Sequence, residues 1–79
     1  MKIKNIGSNQ TEVWVKDGVV LVSYATPVAA VYKGQSYRTD VNYSRTTSKH
    51  ISQWLRQFDG TPKYESPVWL QCIMNGDDM

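Results

Sequence analysis

"SRTTSKHISQWL" (residues 44–55) decides how the rest of the chain is read. Hydroxyl residues come first, and apolar residues follow at helical spacing. Ile51, Trp54, Leu55 and Phe58 fall at i, i+3, i+4 and i+7, which makes one apolar stripe. Thr46 or Thr47 would cap the start, because a hydroxyl accepts from the free N–H groups of the first turn. Gly60 would stop the helix, and Pro62 forbids its continuation nearby. The spacing predicts a helix over about 47–58.

A helix with one apolar stripe needs an apolar surface to cover. "TEVWVKDGVVLVSY" (11–24) reads as a hairpin turning at Lys16-Asp17-Gly18. Asp-Gly is a strong signal for a type I′ turn, whose two central residues need positive φ. The unbroken apolar run from Val19 to Val22 suits a central strand, and Pro27, lacking an N–H, marks a strand end or an edge. "VAAVYKGQSYRTDV" (28–41) reads as a second hairpin turning at Lys33-Gly34-Gln35. In its second arm Tyr37, Thr39 and Val41 alternate with Arg38 and Asp40, the period of a half-buried strand. "TPKYESP" (61–67) reads as a loop and "VWLQCIM" (68–74) as a last strand. The expected class is α+β: an antiparallel sheet of four to five strands from two hairpins, with one helix packed on one face. The 79 residues make one domain, with 1–10 and the tail 75–79 expected to fray.

Composition narrows the function classes. A net charge of +2 is too small a bias to imply nucleic acid by itself. The single cysteine, Cys72, excludes an internal disulfide and fits a reducing compartment. The start, "MKIKNIGSNQ", carries no apolar stretch of signal-peptide length, and no run of about 18 apolar residues exists. The expectation is a cytoplasmic protein that does not enter a membrane.

Little of the chain suggests catalysis, and no catalytic, cofactor-binding or metal-binding residue is assigned. His50, the one histidine, lies at the border of the apolar stripe. It reads as packed on Trp54, or as a hydrogen-bond link from helix to sheet. Cys72 alternates with Val68 and Leu70, and so would point into the core as a small buried thiol. A Cys72–His50 nucleophilic pair would lack an orienting third group. One His and one Cys cannot supply a tetrahedral metal set, and the isolated glycines form no phosphate loop.

Two features point to binding instead. One helix covers one sheet face, so some of Trp14, Tyr24, Tyr32, Tyr37 and Tyr43 should remain on an open face, as a binding patch or an oligomer contact. Opposite the apolar stripe lie Lys49, Ser52 and Arg56, with Arg45 in line. This is either a solvated face or a short basic ridge for phosphates or an acidic partner. The candidate partner-binding residues are Arg38, Arg45, Lys49, Arg56, Tyr37 and Tyr43.

The stretch 23–55 also resembles a family of small proteins from phages and other mobile elements. The resemblance is carried by Thr26-Pro27-Val28 after a strand, and by Tyr43, Ser44, Thr46, Thr47, Lys49, His50, Ile51, Trp54 and Leu55. It covers a little under half of the chain and brings no catalytic residues with it. It implies a genetic setting in which inhibitors of host machinery, anti-CRISPR proteins among them, are common. The expected function is a non-catalytic inhibitor, monomeric or homodimeric. It would bind a host protein effector complex, most concretely CRISPR-Cas, and block target DNA recognition. The alternative is a small nucleic-acid-binding accessory protein using Arg38, Arg45, Lys49 and Arg56 beside exposed tyrosines.

Overall fold

A computed structural model describes residues 2–7, 9–24, 26–41, 43–58 and 60–74. Among these residues six strands form one sheet in chain order: β1 (Lys2–Gly7), β2 (Gln10–Val15), β3 (Gly18–Ser23), β4 (Thr26–Tyr32), β5 (Gln35–Thr39) and β6 (Lys63–Glu65). The first five pair antiparallel, and β6 pairs parallel to β5 after a crossover through helix α1 (Arg45–Leu55). A second helix, α2 (Pro67–Met74), follows directly. The class is α+β, with more strands than the hairpins alone supplied and with a helix on each face.

The second helix corrects the reading of 68–74 as a strand. Ser66 caps it: its backbone oxygen accepts from Leu70 N–H and its Oγ accepts from Trp69 N–H, each at 3.2 Å. Pro67 occupies the first helical position, where its missing N–H costs nothing and its fixed φ already suits a helix. Leu70 and Ile73, three residues apart, then reach the sheet together with Trp69 and Met74.

The two helices divide the core. Val19, Leu21, Val28 and Ala29 meet Ile51 and Trp54 of α1. Val20, Ala30 and Tyr32 meet Leu70 and Ile73 of α2. Successive residues of a strand point to opposite faces, so β3 and β4 must be apolar at nearly every position. The runs Val19 to Val22 and Pro27 to Tyr32 meet that demand. Pro27 lies where the β3–β4 register shifts, at the bulge that also turns Val28 inward.

The boundaries of α1 also differ from expectation. The cap is Ser44, whose Oγ accepts from Thr47 N–H at 3.1 Å, so the helix begins two residues earlier than predicted. Thr46 and Thr47 lie inside it, and Thr47 is buried. Past Leu55 the chain tightens, with Gln57 and Phe58 N–H bonded to the carbonyls of Trp54 and Leu55, before Gly60 at φ +95°.

The hairpin turns exchange roles. Lys33 and Gly34, at φ 50° and 80°, form the turn with two positive φ angles. Lys16 and Asp17 have none. Gly18 serves β3 differently, because a Cβ there would collide with the Val31 carbonyl oxygen. Residues 2–7, expected to fray, form the edge strand β1. Residues 63–65, read as loop, form β6. The tail 75–79 lies outside the described residues.

Candidate binding site

Helix α1 crosses β3 and β4 with a different surface on each flank and a third on its back. On the flank toward β2, His50, Gln53 and Gln57 follow one another at i, i+3 and i+7. His50 Nδ1 shares a hydrogen bond of 3.2 Å with Ser23 Oγ at the end of β3. The Tyr24 ring stacks on the imidazole, with centroids 6.3 Å apart and planes 17° from parallel. Tyr24 adopts φ 51°, an outlying conformation for a bulky side chain. Its N–H is held by the Asn9 carbonyl at 3.0 Å. Of the two readings of His50, the link from helix to sheet is the one present. Ser23 is only 1% exposed, so this pair offers no hydroxyl to a substrate.

One turn further along, the flank opens into a hollow of about 350 Å³ lined by Lys4, Ile6, Gln10, Glu12, Gln53, Trp54 and Gln57. Glu12 forms part of its wall and is only 7% exposed. Its Oε2 accepts from Trp54 Nε1 at 2.8 Å, and its Oε1 accepts from Trp14 Nε1 at 3.2 Å. No Lys, Arg or His among the described residues lies in ion-pair contact with this carboxylate. Sequence reading passed Glu12 by, because a lone acid in an alternating strand looks solvent-facing. Its link to Trp54 spans 42 residues and leaves no local signal.

The back of α1 carries Arg45, Lys49 and Arg56, all exposed, with Tyr43 exposed just before the helix. Of these four expected site residues, the three cations share one helix face, and Tyr43 precedes the helix in the chain. Arg38 lies on the same side of the sheet, opposite Ala29 in register, and its guanidinium carbon is 5.3 Å from the centroid of the Tyr64 ring. Its Nε is enclosed and has no hydrogen-bond partner.

Tyr37 does not join them. It packs on Trp69 of α2 with centroids 4.5 Å apart, on the opposite face of the sheet. The open aromatic face it was to share does not exist at the sheet centre, since α2 covers it. Tyr32 is likewise buried there, edge-on to Trp69 at 6.3 Å. Cys72 also departs from expectation. Helical geometry takes it out of the core, half-buried beside Thr26, Pro27 and Val68 in a second hollow of about 390 Å³. It belongs to α2 and His50 to α1, so the sheet separates the two and no Cys–His pair forms. No cluster of three or more potential metal ligands occurs among the described residues.

The fold and these surfaces define a small α+β domain, a meandering sheet clasped by one helix on each face, with a polar hollow beside the longer helix. The chain belongs to a family of unknown function (DUF8033), whose family model matches residues 1–70. No curated protein and no solved structure matches it. Among the described residues no helix is long and apolar enough to cross a membrane.

Proposed function

We propose that the chain is a non-catalytic binding protein of the host cytosol that acts by occupying a surface of a larger complex. The carrying observation is the back of α1. Arg45, Lys49 and Arg56 share one exposed helix face, and no acid among the described residues pairs with them. A face with cations alone fits an acidic or phosphate-lined counterpart. A nucleoprotein effector offers both kinds of surface. The resemblance to phage and mobile-element proteins makes an inhibitor of such an effector the most concrete form, an anti-CRISPR protein that blocks target DNA recognition.

The test is a binding assay with purified effector complexes at physiological salt. Adding the protein should abolish their capture of target DNA, and the double variant Lys49→Glu/Arg56→Glu should restore it. The protein alone should bind a plain oligonucleotide weakly. Tight oligonucleotide binding that falls about 40-fold between 50 and 200 mM salt, as three phosphate contacts require, would overturn the inhibitor reading. The accessory nucleic-acid-binding role would then take its place.

A further inference from the structure

The hollow beside α1 has a chemistry opposite to the back of the same helix. Glu12 places its carboxyl group at a site where only 7% of the residue meets solvent. Buried carboxylates are ordinarily matched by a cation. Here two neutral indole N–H groups do the holding, one on each oxygen. A carboxylate offers about four acceptor positions. Two are used, which leaves one on each oxygen. That remaining pair suits a two-pronged donor. A guanidinium presents such a fork and favours paired contact with a carboxylate. The side-chain carbonyls of Gln10, Gln53 and Gln57, which line the same hollow, supply further acceptors for its outer N–H groups. At about 350 Å³ the space has room for an arginine side chain and lies at the small end of ligand pockets.

We infer that the hollow walled by Glu12, Gln53 and Gln57 binds a guanidinium group, carried by an arginine side chain of a protein partner or by a free alkylguanidine. Lys4 is the one cation among the described residues lining it and lies directly across from Glu12 in register, on the exposed edge strand. It therefore competes with the ligand. This gives the site a sign that distinguishes it from an anion site. Removing Lys4 strengthens a cation and weakens an anion. The inference does not depend on the role of Arg45, Lys49 and Arg56, and either can fail alone.

The indole N–H groups that hold Glu12 are also its reporters. In a ¹H–¹⁵N spectrum the signals of Trp14 and Trp54 should move on titration with agmatine or with a capped Gly-Arg-Gly peptide. The signal of Trp69, on the other face of the sheet, should stay still. Lys4→Gln should tighten binding severalfold. Gln53→Lys, an exposed helix position that places a tethered ammonium at the hollow, should weaken it about ten-fold or more, the loss of one charge-assisted contact. Glu12→Gln should abolish it, and the two exposed variants keep the test decisive if that one folds poorly. Tighter binding of the peptide assigns the site to a protein arginine, and tighter binding of agmatine assigns it to a free alkylguanidine. The inference is overturned by any of three results: no saturable shift, an equal shift with uncharged propylurea, or binding of phosphate that Lys4→Gln removes.

Discussion

The two faces of one sheet are built by different rules. Under α2 the contacts are apolar and aromatic: Val20, Ala30, Leu70 and Ile73, with Trp69 wedged between Tyr32 and Tyr37. Under α1 a similar apolar set is crossed by polar links, from Glu12 to Trp54 and Trp14 and from Ser23 to His50. Apolar burial scales with area and has no preferred direction. A buried hydrogen bond is directional, and leaving it unmade costs about 1–3 kcal/mol. The α2 face therefore supplies adhesion, and the α1 face supplies adhesion together with a defined position. The positioned helix is the one that walls the polar hollow.

The contrast breaks most readily at the two largest anchors. Trp54→Ala should cost about 3–5 kcal/mol and Leu70→Ala about 3 kcal/mol. A domain of this size has total stability near the low end of about 5–15 kcal/mol, so the first variant should be largely unfolded in a denaturant titration. A smaller loss for Trp54→Ala than for Leu70→Ala would make α2 the keystone. Next in size, Glu12→Gln should cost about 1–3 kcal/mol. Whichever way the amide turns, its NH₂ faces one of the two indole N–H groups. Combined with Trp54→Phe, which removes one of those donors, its cost should shrink. Strict additivity in that double-mutant cycle would mean the carboxylate does not position the helix. The smallest effect belongs to Ser23→Ala, about 1 kcal/mol for a hydrogen bond whose half-exposed partner, His50, can turn to water. A loss as large as that of Glu12→Gln would place the chief positioning contact at the His50 end of the helix.

The same contrast explains what the sequence revealed. The hairpins and α1 were legible because period-two and period-3.6 patterns and a turn glycine are local signals, whereas the cap was displaced from Thr46 or Thr47 to Ser44. The residues 68–74 form a short apolar run, which suits a buried strand or a helix equally well. The deciding signal was Ser66-Pro67, a capping residue followed by proline at the first helical position. The doubly covered sheet was also written in the unbroken apolar runs of β3 and β4, since a strand with one wet face alternates. Strand β6 has three residues between two prolines, too few for any period to show. Of the expected site, the back of α1 could be read from spacing alone. The hollow could not, because Glu12 and Trp54 meet only once five strands and a helix have been assembled.

The strand order carries a consequence for how the molecule is assembled in time. The first four connections, residues 8–9, 16–17, 24–25 and 33–34, are each two residues long. Closing so short a loop fixes few residues before pairing begins, and a chain dominated by near-neighbour contacts folds fast for a sheet protein. Strands β1 to β5 can therefore zip in sequence as one meander. Only β6 must wait, because the 40–62 segment that returns the chain to β5 contains α1 itself. These loop lengths predict that the meander forms first, that docking of α1 lets β6 close, and that α2 then seals the opposite face; earlier protection of α2 than of β1 to β5 in pulse-labelled hydrogen exchange would reverse that order.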